Sequence, residues 1–381
     1  MKATKLKPGV RVTKINCLIL LGFLLTSSIT YAFDNRGGQF LGFEEFSRFR
    51  KSQGKRPGEL VLESPEIISR IQWNELVASW NVEVPTGTSL KIEARAVYGD
   101  HATKYYTMGL WSADPKLSPR ESVPNQKDEN GDVNTDTLIL THNCDKLQIR
   151  LTLSDCENRK PQLKFVGLCL LDTTAKVSML KPNRTAWGKI IPAIERSQMI
   201  YPGGNVWCSP TTVSMIMNYW SKQLHRPEMD LDVPEIVNQV FDAKWDGTGN
   251  WPFNTAYAGS YPKMRAYVAR LSDISELEDW IACGIPVGLS ISYNRLRGRP
   301  GAPVGHLVVC VGFTKDGDVV LNDPGTTLNV QKTFPRKNLI EAMAYTKNAI
   351  YLIYPEETKI PKDRFGHWDS PISRKRATLG K

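Results

Sequence analysis

Apolar and polar positions alternate with period two from about Glu59 to Asp172. Leu90, Ile92, Ala94 and Ala96 alternate with Lys91, Glu93 and Arg95, and Leu147, Ile149, Leu151 and Leu153 with Gln148, Arg150 and Thr152. Leu138–Leu140 and Phe165–Leu171 read as further strands, and turn-rich stretches at Pro85-Thr86-Gly87, 128–132 and 155–161 separate them. Short strands punctuated in this way predict an all-β sandwich, jelly-roll-like, over 59–172.

The texture changes from about Pro192 to Pro355. Val213, Ile216, Met217 and Trp220 share a helical face after Cys208, with Pro210 suited to a first turn. Val233, Ile236, Val237, Val240 and Phe241 mark a second helix. Ser275 and Glu278 form a capping-box pattern ahead of Leu277, Trp280 and Ile281, and Gly284 supplies the stop. Strands are expected at 285–293, 306–313 and 318–322, the last two joined as a hairpin through Thr314-Lys315-Asp316-Gly317. A short helix at 341–345 and a strand at 349–354 complete an α+β order over 192–355. Residues 33–58 read as an exposed lead-in with one short helix near Glu44 to Arg50, 173–191 as a linker, and 356–381 as a charged, loosely held tail with Trp368 as an anchor.

Residues 1–32 follow a different pattern. A basic stretch ends at Lys14, an apolar run spans Cys17 to Leu25, and Thr30-Tyr31-Ala32 places small residues at a signal-peptidase site. The run is short for a membrane span, and no later segment is long and apolar enough for one. The expectation is a cleaved signal and a chain that is secreted, periplasmic or held at the cell surface. This segment carries Lys2, Lys5, Lys7, Arg11 and Lys14 and no acid, so half of the formal charge of +10 belongs to it. What remains is mildly basic, without a basic block, and gives no reason to expect nucleic acid. Hydrophobic residues at 41% and charged residues at 23% are ordinary for a folded chain of 381 residues, which has length enough for two domains. In an exported protein disulfides are allowed. Cys144, Cys156 and Cys169 lie close enough in the chain for any two to pair, and buried free thiols are the equal alternative; Cys283 and Cys310 stay open as well. Trp73, Trp80, Tyr105, Tyr106 and Trp111 read as core or sheet packing, with a sugar-binding face as the alternative.

The informative chemistry lies at Gly203-Gly204-Asn205-Val206-Trp207-Cys208-Ser209-Pro210-Thr211. A cysteine where a glycine loop enters a helix meets unpaired amide donors and a partial positive charge, both of which favour thiolate. The same amides can receive the oxyanion formed when a carbonyl is attacked. A thiol nucleophile needs a base. Of the five histidines, His101, His142, His225, His306 and His367, His306 alone begins a strongly apolar strand in the same half of the chain. The next strand ends at Asn322-Asp323-Pro324, and a hairpin would bring Asp323 near His306, where a carboxylate can orient the ring and stabilise imidazolium. No Cys-x-x-Cys, no His-Glu-x-x-His and no phosphate-binding glycine loop occurs, so no metal or other cofactor is expected.

Three pieces carry a family resemblance: Glu195-Arg196-Ser197-Gln198, Trp207-Cys208-Ser209-Pro210-Thr211 through Asn218-Tyr219-Trp220, and Gly305-His306 with Asp323-Pro324. Together they resemble the bacteriocin-processing branch of the papain-fold cysteine peptidases, which includes double-glycine leader peptidases and exported relatives. The resemblance implies a papain-like domain over 192–355, with Cys208 as nucleophile, His306 as base and then acid, Asp323 as orienter and Gln198 as side-chain oxyanion donor. Ser209 stands where glycine is commoner in that family. Gln198 also lies further ahead of Cys208 than usual, an excess that Tyr201-Pro202-Gly203-Gly204 could loop out.

These observations predict an exported cysteine peptidase acting on peptide or isopeptide bonds through a Cys-His-Asp triad and an acyl-enzyme. Two alternatives use the same residues differently: transglutaminase-like acyl transfer, and a surface protein that holds a glycan or cell-wall partner through its sandwich while the papain-like part stands idle. The loop Asn294 to Gly301, with three arginines, either borders the cleft or is a solvated loop. Because all four site residues lie within 192–355, that part is expected to fold and react by itself.

Overall fold

A computed structural model describes residues 35–369, so the expected signal at 1–32 and the tail beyond 369 lie outside the described residues. The N-terminal strands are β1 (Gly38–Phe43), β2 (Arg50–Gln53), β3 (Glu59–Glu63), β4 (Ile67–Glu83), β5 (Ser89–Ala96), β6 (Tyr106–Ser112), β7 (Gly131–Asn134), β8 (Thr137–Ser154) and β9 (Gln162–Leu171). They join one curled, hydrogen-bonded sheet, not two separate ones, because β8 is 18 residues long and changes neighbours along its length. Its first part pairs with β4 and β7 and its second with β3 and β5. The expected strands at Leu138–Leu140 and Leu147–Leu153 are thus parts of one strand. Trp73, Trp80, Tyr106 and Trp111 are buried in the core, so they form no exposed aromatic face.

The remaining elements are α1 (Cys208–Leu224), α2 (Val233–Val240), α3 (Trp251–Ser260), β10 (Met264–Arg270), α4 (Ile274–Ala282), β11 (Val287–Ser292), α5 (Tyr293–Leu296), β12 (Gly305–Phe313), β13 (Val319–Asn322), β14 (Gln331–Phe334), α6 (Arg336–Ala344), β15 (Ala349–Pro355) and β16 (Trp368–Asp369). Strands β10-β15-β11-β12-β13-β14 form a six-stranded antiparallel sheet against which α1 packs. The hairpin between β12 and β13 forms where it was expected, with Gly317 in the left-handed region at φ +89°.

Several sequence expectations need correction. The lead-in at 33–58 is not an exposed segment with a helix near Glu44. Gly38–Phe43 is a buried strand paired with β9, and two glycines with apolar residues on both faces conceal its alternation. The tail is held as far as Asp369, since Trp368 pairs in parallel beside Phe40, and the anchor expected at Trp368 is therefore present. Ser275 does not cap α4; the Asp273 side chain accepts from the Ser275 amide instead. Helix α3 was missed because Pro252 to Gly259 are all buried, which leaves no amphipathic period to read.

The two sheets are not independent. All described residues belong to one compact unit. Strand β10 is an edge of the six-stranded sheet, and side chains of β4 satisfy its outer backbone groups. Asn81 Nδ2 donates to the Ala266 carbonyl at 2.7 Å and its Oδ1 accepts from the Ala266 amide at 3.2 Å. Ser79 Oγ accepts from the Val268 amide at 2.9 Å. An edge capped in this way cannot recruit another strand. Phe253 of α3 enters the N-terminal core, 6.0 Å from the Trp80 ring and 5.3 Å from that of Trp111.

Against the expectation that the C-terminal part folds alone, cutting the chain near residue 190 would expose Phe253 and the β10 edge. We expect the 190–381 segment to lose cooperative unfolding. In the full chain, Phe253→Ala should cost about 3–5 kcal/mol, read from urea denaturation as a lower midpoint of a single shared transition.

Candidate active site

Cys208 is the first residue of α1, with Trp207 at the cap position and Gly203 at φ +78° in the turn before it. His306 is the second residue of β12, and Asp323 directly follows β13. Antiparallel pairing of these neighbours places the start of one beside the end of the other, so His306 Nε2 lies 2.8 Å from Asp323 Oδ1. The Cys208 side chain also lies close enough to His306 to favour its charged form. The structure thus brings His306 into contact with Asp323 and places Cys208 near His306.

Electrostatics follow from that contact. Burial opposes thiolate at Cys208, but the hydrogen bond and charge of His306, with the Leu307 and Ser209 amides, outweigh it and pull the thiol below its ordinary value. Burial likewise opposes imidazolium at His306, yet Asp323 and Cys208 together push it up to about 9. Asp323 is held below the usual carboxylate range against its own burial, chiefly by His306 and then by Tyr293 and the Gly325 amide. Burial moves Cys144, Cys169, Cys283 and Cys310 the opposite way, upward. All six cysteines among the described residues are free thiols, so the disulfide alternative for Cys144, Cys156 and Cys169 is not realised.

Gln198 is placed beside these residues by its backbone. Its amide donates to the Pro324 carbonyl at 3.0 Å, directly after Asp323. The turn at Tyr201–Gly204 closes on it so tightly that a Cβ at Gly204 would lie 1.8 Å from the Gln198 carbonyl oxygen. Glycine is therefore required there. The Gln198 side chain is buried and makes no hydrogen bond among the described residues, so its amide is not consumed internally.

Other residues of the matching motifs act as braces. Arg196 and Asn218 both bind the Asp230 carboxylate, at 2.6 and 2.7 Å, tying the Gln198 segment to α1. Ser209, in place of the commoner glycine, shares a buried hydrogen bond of 2.8 Å with the Tyr351 hydroxyl on β15. This bond fixes the first turn of α1 to the sheet.

Sequence reasoning missed Tyr293. Its hydroxyl donates to Asp323 Oδ2 at 2.8 Å and its ring lies 4.2 Å from that of His306. The available signal was register: Ile291 pairs with His306, and Tyr293, two residues further on, shares its face and lies diagonal to His306. Gly325 was missed as well. A Cβ there would sit 3.1 Å from both His306 Cε1 and the Tyr293 hydroxyl. Arg297 does not face solvent as a free loop cation but lies over the Tyr293 ring at 4.3 Å, whereas Arg295 and Arg299 are exposed. Met199, Ile200, Val206, Val304 and Leu328 are exposed apolar residues close in sequence to the four site residues.

Residues 190–351 match the model of the Peptidase_C39 like family, and residues 60–170 match that of the Peptidase C39 N-terminal domain. The two matches support the C39 cysteine peptidase family, and the match over 190–351 suggests a cysteine peptidase of papain-like fold. No curated protein matches the chain. Among solved structures, a chain of infectious bursal disease virus Gt strain is 10% identical over 37% of this chain and 33% of its own length, with a TM-score of 0.18, and carries no argument.

Tyr293→Phe keeps the ring over His306 but removes one donor from the buried carboxylate. We expect kcat to fall about tenfold, in line with the loss of one hydrogen bond to a charged group, with KM unchanged. Steady-state kinetics on a peptide substrate measure this, and a changed KM with normal kcat would assign Tyr293 to substrate binding instead.

Proposed function

We propose that the protein is an exported cysteine peptidase that cleaves peptide or isopeptide bonds. The observation that carries this reading is the buried contact of His306 with Asp323 and the nearness of Cys208, with the thiol pulled down and the imidazole pushed up. Cys208 thiolate attacks the scissile carbonyl. The oxyanion is received by the Cys208 amide at the helix start and by the Gln198 side chain, which makes no other hydrogen bond among the described residues. His306 imidazolium protonates the leaving amine, then acts as base to activate water, and the acyl-enzyme is hydrolysed. Asp323 holds the ring and its charge. Apolar residues around the four site residues favour substrates with apolar side chains beside the scissile bond.

Export and a secreted, periplasmic or surface location rest on the pattern of residues 1–32. No helix among the described residues is long and apolar enough to cross a membrane. The assignment behind this reading is a signal over 1–32, an N-terminal β part from Gly38 to Leu171 and the peptidase part over 192–355. In this reading the peptidase needs no cofactor, because thiol, imidazole and carboxylate supply nucleophile, acid and base.

Cys208→Ala should reduce kcat by more than about 10⁴-fold while leaving the unfolding midpoint nearly unchanged. The pH profile of kcat/KM should be bell-shaped. Its acid limb is protonation of the Cys208 thiolate, and its alkaline limb is loss of the His306 proton, near pH 9 for the intact relay. Asp323→Ala removes the partner that raises His306, so the alkaline limb should move toward acid and the rate should fall about 10²-fold or more. Rate profiles of the wild type and Asp323→Ala test this. An unmoved alkaline limb with a near-normal rate in Asp323→Ala would remove Asp323 from the mechanism.

A further inference from the structure

One face of the N-terminal sheet carries a site unrelated to the thiol. Register aligns three rows across β2, β3, β8, β5 and β6. The first row is Arg50, Glu63, Arg150 and Glu93; the second is Ser52, Val61, Thr152, Lys91 and Leu110; the third is Glu59, Ser154 and Ser89. The alternate residues Leu62, Leu90, Ile92, Leu151 and Leu153 are buried on the opposite, core side. The β2–β3 turn at Gly54, Lys55 and Arg56 and Pro119 wall the polar face into a recess of about 740 Å³.

The charges of the first row are held in place. Glu93, 4% exposed, accepts from Arg150 at 2.8 and 2.9 Å and from Lys91 at 3.0 Å. The Arg150 guanidinium lies 4.0 Å over the Tyr105 ring, and Arg50 pairs with Glu63 at 2.7 Å. Beside this row the floor carries the short hydroxyl side chains of Ser52, Thr152, Ser154 and Ser89 together with Val61 and Leu110. Five cations line it against three carboxylates, and Lys55 has no carboxylate partner among the described residues. The wall is therefore rich in fixed donors and acceptors, with a surplus of positive charge and a floor of hydroxyls. Apolar groups are scattered, with no alternating pockets such as a strand-adding peptide would require.

We propose that this recess binds an acidic oligosaccharide, with sugar hydroxyls on the Ser and Thr floor and a carboxylate at Lys55. A polyhydroxylated chain matches paired donors and acceptors that already hold their geometry, and the excess cation selects an acidic one.

The test is isothermal titration of the full-length protein with oligogalacturonate, with maltoheptaose as neutral and poly-glutamate as charged control. Binding is read without any peptide substrate, so it stands or falls separately from the peptidase. Saturable oligogalacturonate binding with Kd below about 1 mM is expected, weakened about tenfold by Lys55→Glu on the exposed turn and abolished by Thr152→Trp, which fills the floor. Maltoheptaose should bind at least about tenfold more weakly. Absence of saturation, poly-glutamate binding as tight as oligogalacturonate, or unchanged affinity in Lys55→Glu would overturn the proposal. Because Lys55 is exposed, that variant decides the matter even if Thr152→Trp fails to fold.

Discussion

A carboxylate that is 1% exposed must find compensation for its lost hydration, and at Asp323 the compensation organises the site. Oδ1 takes the His306 ring nitrogen and the Gly325 amide, and Oδ2 takes the Tyr293 hydroxyl. Each of these donors comes from a different stretch of chain: the start of β12, the turn after Pro324 and the start of α5. Holding the three against one carboxylate fixes the imidazole plane, and in the proposed mechanism the fixed imidazolium holds the proton that keeps Cys208 ionised. A buried ion pair of this kind is a poor device for stability but a good one for orientation, because its directional bonds tolerate few alternative arrangements.

The scaffold around that carboxylate extends beyond the sheet that bears it. Arg196 and Asn218 converge on Asp230, Ser209 bonds Tyr351, and the Gln198 backbone is tied to Pro324. Further out, β10 closes the far edge of the same sheet and is itself capped by Asn81 and Ser79 of the N-terminal half. Buried charge reinforces the junction: Glu75 of β4 pairs with both Arg270 and Lys347. The N-terminal sheet is therefore part of the support of the C-terminal one, and not an appendage joined by a linker.

What could be read from sequence and what could not divides on locality. Cys208, His306 and Asp323 each sit at a boundary with its own signature: a glycine loop entering a helix, the first residue of an apolar strand, an Asp-Pro ending the next. Hairpin connectivity was enough to bring the latter two together. Tyr293 depends on the register between β11 and β12, which no short pattern encodes. Strand β4 and helix α3 are covered on both sides, so their alternation or amphipathic period disappears, and β1 is disguised by its glycines. The aromatic residues that could have made a sugar-binding face instead pack the core and receive Phe253, a long-range contact invisible in the sequence.

The central claim is that Cys208 is ionised against His306 at neutral pH. The most direct measurement is the ultraviolet absorbance of thiolate as a function of pH, taken as the difference between the native protein and its Cys208→Ala variant. The account predicts a thiolate signal already present at pH 7 that disappears only in acid, below the ordinary thiol range. A signal that first appears near the ordinary thiol value, about 8.5, would contradict it and leave Cys208 a neutral thiol beside a neutral imidazole.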